Sequence, residues 1–296
     1  TLTGKYGDEG DRLIFKVLNS GGFLSKVDFD TISTSKVLTK QIAKKALRYD
    51  LTVPFARFVV QNRNDITFPF KRYQMQNVWR ADRPQKGRYR EFFQCDADVI
   101  GTESLLCEVE LVQLYDDVYS QLKIPNIDIC INNRKVLNGM VELMQATDLF
   151  DDIVIILDKL DVIGVEKAKD EMQKIGVKTD ALLILDSFLN AKTISEISFL
   201  LDQSEIGKRG LEELKFVIDN VTNIGLQSAN LKFDITLARG INYYTGCILE
   251  VKSNDVKIGS IGGGGRYDDL TSNFGLNDIS GVGVSFGIDR IYLVMQ

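Results

Sequence analysis

Residues 79 to 94 read WRADRPQKGRYREFFQ and carry five basic side chains, Arg80, Arg83, Lys86, Arg88 and Arg90, among aromatic rings, in a chain whose formal net charge is −5. A guanidinium offers its N–H donors as a planar fork that matches two oxygens of a phosphate or carboxylate. Such a cluster in an acidic chain points to a local anionic ligand. Two further arginines stand apart, Arg239 after LKFDITLA and Arg290 in SFGIDRIYLV. Phe92 supplies a ring face on which a nucleotide base could stack. No GxxxxGK[ST] is present, which excludes a P-loop, and Gly281, Gly283 and Gly287 lack the spacing of a dinucleotide fingerprint. The chain contains no histidine. That removes Ser-His-Asp and Cys-His nucleophile systems and every His-ligated metal site, so the chemistry must run on carboxylates, arginines, lysines, tyrosines and backbone.

The elements that position these groups follow from periodicity. From 71 to 81 the odd positions are mostly apolar and the even ones include Arg72, Gln74, Gln76 and Arg80; from 90 to 99 Phe93, Cys95, Ala97 and Val99 alternate with Arg90, Phe92, Gln94, Asp96 and Asp98. With RPQKGRY between them, the two runs predict an antiparallel hairpin with its apolar face in the core. Most polar strand faces are merely solvated, so alternation alone leaves the other face open between solvent and a site. A short apolar strand is expected over Leu13 to Leu18, short helices over Thr39 to Leu47 and Val53 to Asn62, and a longer helix from Leu105 to Leu122. Residues 145–228 show helical spacing with charged faces and no proline, and read as a helical insertion. β pattern then resumes in KFDITLARG, YYTGCILEVKS and GSIGGGGRYDDL, and GVGVSFGIDRIYLV reads as strand then helix.

At 296 residues, 44 % hydrophobic and 26 % charged, the chain can build a large core and is no disordered tail. No apolar run approaches the roughly 20 residues that span a bilayer, and no basic-then-apolar opening is present, so a cytoplasmic protein without a membrane partner is expected. Cys95, Cys107, Cys130 and Cys247 form no CxxC pair, and are expected to be buried free thiols.

RYDLT at 48–52 and ARGINYYTG at 238–246, with the hairpin and the final strand-helix unit, give nearly the whole chain a resemblance to the catalytic core of histidyl-tRNA synthetases, class II aminoacyl-tRNA synthetases. The hairpin corresponds to class II motif 2 and GVGVSFGIDRIYLV to motif 3. The resemblance implies an α+β fold, an antiparallel sheet flanked by helices and interrupted by a helical insertion domain. The core is then split into 1–144 and 229–296 around an insertion at 145–228. It implies an ATP-dependent histidine-tRNA ligase that uses ATP, Mg2+, histidine and histidine tRNA, and a homodimer. Arg80 matches the motif 2 arginine at the α-phosphate, and Arg290 the motif 3 arginine beside adenine and the γ-phosphate. Phe92 is placed to stack on adenine, and Arg88 to contact phosphate. Arg239 resembles a catalytic arginine that acts at the α-phosphate. Asp50, Thr52 and Gln94 match the groups that hold the α-ammonium, Asp50 agreeing with eukaryotic relatives where many bacterial ones carry glutamate. Asp98 and Tyr244 match the pair that reads the imidazole, with Tyr243 and Tyr267 in the same pocket. Arg83, Gln85 and Lys86 point toward the acceptor end of tRNA.

Each of these residues also has a duller reading. Tyr243 and Tyr244 could pack the sheet, Asp96 and Asp98 could be strand-end turn carboxylates, and Gly262 to Gly265 could serve only close backbone packing. Their joint occurrence in order favours the site. Asn242 stands where the resemblance leads one to expect aspartate, and the motif 1 segment and an anticodon-binding domain are expected to lie outside residues 1–296. The rival expectation is a non-catalytic paralogue, either a regulatory subunit of histidine biosynthesis or a sensor of uncharged tRNA; the presence of Arg80, Arg239 and Arg290 favours the enzyme.

Overall fold

Residues 71 to 79 and 91 to 100 do pair as written in their alternation. In the computed structural model, which describes residues 10, 12–238 and 244–296, β3 (Phe70–Trp79) and β4 (Glu91–Ile100) run antiparallel with Arg72 opposite Asp98, Gln74 opposite Asp96 and Gln76 opposite Gln94. Cross-strand partners share a face, so the polar side chains of both strands collect on one side of the hairpin. They sit beside β5 (Ile127–Asn133), β6 (Asn230–Phe233), β7 (Cys247–Ser253), β8 (Gly262–Tyr267) and β9 (Gly281–Gly287) in a seven-stranded sheet of order β3-β4-β9-β8-β7-β5-β6. All pairings in it are antiparallel except β5 with β6. A small separate ladder joins β1 (Lys16–Val17) to β2 (Lys45–Ala46).

The sheet is covered by the helix Leu106–Gln121, whose Tyr115 and Tyr119 are fully buried against it. Their hydroxyls donate to Ser285 O and Ile261 O, both at 3.1 Å, which satisfies the polar tip of each ring where it is buried. The glycine run of β8 makes this approach possible: a Cβ at Gly262 would lie 2.8 Å from the Tyr115 ring, and one at Gly264 would lie 2.2 Å from Gly283 O on β9. The run is therefore a strand cleared for packing, in line with the close-packing reading of these glycines.

Between β5 and β6 the chain forms helices from Arg134–Leu143 through Glu205–Ile224. Thr193 caps Ile194–Leu200 in a reciprocal capping box with Glu196, and Ser204 caps Glu205–Ile224, so the starts of these helices have their free N–H groups satisfied. One buried apolar cluster runs from sheet residues such as Ile129 and Val282 to Leu185 and Phe188 among these helices. All four cysteines are free thiols, three of them buried and Cys95 half-buried.

Three expectations need correction. The helix foreseen over Thr39 to Leu47 occupies Ser35–Ile42, where Thr34 accepts from Val37 N as its cap; Lys45–Ala46 instead pair with β1, and only Lys16–Val17 of the 13–18 run is strand. β5 was not foreseen, although Ile127, Ile129 and Ile131 alternate with Asp128, Cys130 and Asn132; all seven of its residues are buried, Asp128 paired with Lys232 and Asn132 donating to the carbonyls of Ile235 and Leu237. The apolar face of the hairpin is the less covered one at the sheet edge: Tyr73, Met75 and Phe93 are 75 %, 56 % and 47 % exposed, whereas Asp96 and Asp98 on the polar face are buried. Among the described residues no helix is long and apolar enough to cross a membrane.

Candidate active site

The polar face of β4 has a phosphate-suited end and a carboxylate end. At the first, Arg80, Arg88, Phe92, Gly262, Gly263 and Arg290 are among the residues that line a cavity of about 380 Å³. Arg80 follows β3 directly; its Nε donates to Tyr49 O at 3.0 Å, and its guanidinium lies 4.4 Å from the Tyr49 ring and 5.2 Å from the Phe92 ring. Two ring faces hold the cation in place, an attraction of about 0.5–2 kcal/mol each. Arg290, near the start of the helix Ile288–Met295, donates from Nε to Gly87 O and from Nη1 to Ser260 O, both at 2.7 Å. Gly87 has φ +71 and packs on Ile258, so the hairpin loop turns sharply under Arg290. Arg88 is paired with Asp82 at 3.1 Å. Arg83, Gln85 and Lys86 lie exposed on this same loop. A second cleft, of about 730 Å³, is lined by Asp158, Asp161, Asp234 and Glu250 with Lys252 and Lys257; Lys252 is paired with three of these acids, and among the described residues the cleft has no arginine cluster like that at the first.

The other end is a buried cluster of acids. Asp98 Oδ1 accepts from the Tyr267 hydroxyl at 2.6 Å, and its Oδ2 forms an ion pair with Arg72 at 2.9 Å. Burial raises the Asp98 carboxyl to about 7; Arg72 pulls against this, while Asp96 and Asp50 add to it. Arg72 is held over the Phe55 ring at 4.2 Å and donates to Leu51 O at 3.1 Å and to Gln74 Oε1 at 2.9 Å. Asp50 is buried just before the helix Thr52–Gln61, and its Oδ2 accepts from Val53 N at 3.4 Å. Thr52 Oγ1 donates to Asp96 Oδ2 at 3.4 Å, and Gln94 Nε2 donates to Ser285 Oγ at 3.1 Å.

Tyr267 is aimed by its neighbour. Arg266, almost fully buried, binds both oxygens of Glu108 and donates to Ser280 Oγ and to the carbonyls of Thr102 and Ser104. With strand alternation, an Arg266 turned into that network leaves Tyr267 turned to Asp98 on the opposite face. Tyr244 packs beside Gly265, within reach of the same apolar cluster as Tyr267.

Of the residues foreseen from sequence, Arg80, Arg88, Phe92, Gln94 and Arg290 meet at the cavity, and Asp50, Thr52, Asp98, Tyr244 and Tyr267 gather at the acidic end. Arg239, Asn242 and Tyr243 lie outside the described residues. Sequence reasoning passed over Arg72, Ser285, Glu108 and Arg266, and treated Asp96 as a possible turn carboxylate. Parity was the available signal for Asp96 and Arg72, since Asp96 shares its parity with Gln94 and Asp98, and Arg72 lies opposite Asp98. Nothing local marks Glu108, which meets Arg266 across 158 residues of chain.

An antiparallel sheet that presents arginines and a ring at one end of a strand and buried acids at the other has the layout of a class II aminoacyl-tRNA synthetase. Comparison with known proteins narrows this. Residues 22–291 match the family described as histidyl-tRNA synthetase. A histidine-tRNA ligase of Christiangramia forsetii is 58 % identical over 304 aligned residues, covering all of this chain and 67 % of its own length. One of Flavobacterium johnsoniae is 55 % identical, covering all of this chain and 68 % of its own. The crystal structure of a histidyl-tRNA synthetase from a Nostoc species superposes with a TM-score of 0.76 at 34 % identity, over 84 % of this chain and 59 % of that one. A Bacillus halodurans protein described as an ATP phosphoribosyltransferase regulatory subunit/histidyl-tRNA synthetase shares the fold, with a TM-score of 0.77 at 22 % identity over 97 % of this chain and 69 % of its own. The chain belongs to the histidyl-tRNA synthetase family.

Proposed function

We propose that this chain is the catalytic part of an ATP-dependent histidine-tRNA ligase, activating histidine as its adenylate and passing the acyl group to the 3′ end of histidine tRNA. The observation that carries this is the face of β4. From Phe92 to Asp98 the strand advances about 20 Å at roughly 3.3 Å per residue, with Phe92 and Gln94 at the cavity and Asp98 buried beyond. A nucleotide laid end to end with an amino acid fits that run. Phe92 and the Arg290 side stack adenine, Arg88 and Arg290 meet phosphate, and Arg80 and Arg239 hold the negative charge that grows as the histidine carboxylate attacks the α-phosphorus and pyrophosphate leaves. Asp50, Thr52 and Gln94 hold the α-ammonium, and Asp98, Tyr244 and Tyr267 read the imidazole. A site that hydrogen-bonds a polar ring strongly rejects analogues that leave its buried groups unpaired.

In the second step the acceptor-end ribose hydroxyl attacks the acyl carbonyl, AMP leaves, and the hydroxyl proton passes to a phosphate oxygen of the adenylate or to water. Arg83, Gln85 and Lys86 meet the acceptor end as it approaches, and residues 145–228 form an insertion domain. The described residues include no three-carboxylate cage for a metal. Asp82 and Asp289 are the carboxylates that line the cavity; they would face a magnesium ion arriving with ATP, which would supply charge neutralisation at the phosphates. The exposed apolar edge at Tyr73, Met75 and Phe93 supports a homodimer, which sedimentation of the full-length protein would test. The working location is the cytoplasm.

The deciding experiment is histidine-dependent exchange of labelled pyrophosphate into ATP by the full-length protein, beside its Arg239→Ala variant. Exchange that needs histidine and collapses in the variant is expected. A folded parent that shows no exchange would turn the reading to a non-catalytic relative.

A further inference from the structure

Building on the reading of this site as a histidine-activating one, we propose that Asp96 is a specificity-determining residue that shares the substrate's α-ammonium with Asp50. Nothing in the matching of motifs assigns it a role. Asp96 lies between Gln94 and Asp98 on the site-facing side of β4, only 2 % exposed. Its Oδ2 takes a long contact from Thr52 Oγ1 at 3.4 Å, and the Ser285 hydroxyl opposite on β9 is a further partner of the carboxyl. Among the described residues its Oδ1 has no hydrogen-bond donor, and neither do Gln94 Oε1 and Asp98 Oδ2, all buried, though Asp98 Oδ2 has Arg72 as an ion-pair partner at 2.9 Å.

Asp96 Oδ1 and Gln94 Oε1, buried acceptors with neither a donor nor the ion pair that Asp98 Oδ2 has, lie next to Thr52, two residues beyond Asp50, and define a seat for a compact group with several N–H donors and positive charge. A buried acceptor left unsatisfied costs about 1–3 kcal/mol, more when it is charged, so the seat is completed only when such a group arrives. An ammonium meets this need. A carboxylate would be repelled, and a neutral hydroxyl would leave the charge unanswered. Burial, the largest influence, raises the Asp96 carboxyl, and Ser285, Arg72, Arg80 and Thr52 oppose it without cancelling it. The site is thus more acidic in composition than its cations offset. Asp98 is already committed to Tyr267 and Arg72, which leaves Asp96 as the carboxylate turned to the amino group.

The test compares L-histidinol, which keeps the ammonium, with its deamino counterpart 3-(imidazol-4-yl)propan-1-ol, by calorimetric titration of the full-length protein and its Asp96→Asn variant. The expected result is a loss of about 10- to 100-fold in histidinol affinity, a charge-assisted hydrogen bond being worth about 1.5–3 kcal/mol, with deamino-analogue affinity kept within about twofold. The KM for histidine in pyrophosphate exchange should rise in parallel while that for ATP holds. Asp96→Ser, which removes the carboxylate but leaves room for water, should give the same selective loss and guards against a fold defect peculiar to asparagine. Equal losses for both analogues, or none, in a folded variant would overturn the assignment while leaving the enzyme reading intact. A parent that binds no histidinol and shows no histidine-dependent exchange would overturn both.

Discussion

Gly283→Ala tests the acidic end of the site by a single methyl group. Gly283 lies on β9 directly opposite Asp98, and a Cβ built there falls 2.0 Å from Asp98 Oδ1 and 2.7 Å from its Cγ. Ordinary carbon–oxygen contact needs a little over 3 Å, so the carboxylate must retreat by about 1 Å or the strands must part. Either movement breaks the 2.6 Å bond from the Tyr267 hydroxyl to Oδ1. Overpacking costs about 1–3 kcal/mol of stability, and a lost hydrogen bond to a charged group costs about 1.5–3 kcal/mol of recognition. At 1.4 kcal/mol per decade, the KM for histidine in pyrophosphate exchange should rise about 10- to 100-fold. The cavity-lining residues Phe92 and Arg290, proposed to meet ATP, are untouched, so the KM for ATP should move by less than about threefold, on the same arithmetic. Thermal melting would establish that the variant is folded under assay conditions. An unchanged histidine KM, or equal rises for both substrates, would refute the placing of the imidazole at Asp98.

Two further outcomes follow from the same geometry. Arg83 is exposed on the hairpin loop and touches neither end of the site, so Arg83→Ala should slow transfer to tRNA about tenfold, the order of one lost phosphate contact, while leaving pyrophosphate exchange near parent level; equal losses in both steps would contradict its role. Asp98 has a carboxyl raised to about 7 from 3.8 by burial, so between those values the folded chain binds a proton that the unfolded chain does not. Its contribution to stability is present below about pH 4 and is lost as pH rises through about 7. Asp98→Asn lacks that loss, so its melting temperature relative to the parent should be higher at pH 8 than at pH 5, whatever constant penalty comes from leaving Arg72 without its partner. A pH-independent difference would show that Asp98 does not titrate in this window.

The hairpin was legible because one strand face is apolar and the other polar, and parity alone sorted Phe92, Gln94, Asp96 and Asp98 together. What parity misjudged was which face is buried. Aliphatic and aromatic side chains at 73, 75 and 93 face outward at the sheet edge, while two aspartates are shut in. Residue type predicts burial only when the cost of removing a polar group from water is not met by partners, and here Arg72, Tyr267, Thr52 and Ser285 meet much of it. β5 was open to the same parity, since Ile127, Ile129 and Ile131 alternate with Asp128, Cys130 and Asn132; what its sequence does not show is that this second face is also buried, with Asp128 against Lys232 and Asn132 against the carbonyls of Ile235 and Leu237. The contact of Glu108 with Arg266 depends on a helix and a strand far apart in the chain, and no local pattern encodes it.

The inversion of the hairpin's faces also resolves the contrast between an acidic chain and its basic stretch. Arg80 and Arg88 line the cavity, where phosphate would be met, and the carboxylates of 96 and 98 lie buried further along β4, where a cation would be met. The hairpin connection brings the arginines to the start of β4, and the strand sets their distance from the acids, because its successive site-facing residues advance by about 6.6 Å each. On the proposed reading, a zwitterionic amino acid would enter this field with its ammonium toward the carboxylates and its carboxylate toward the arginines. That orientation presents the carboxylate to the phosphate end of the cavity, which is the geometry an attack on phosphorus requires.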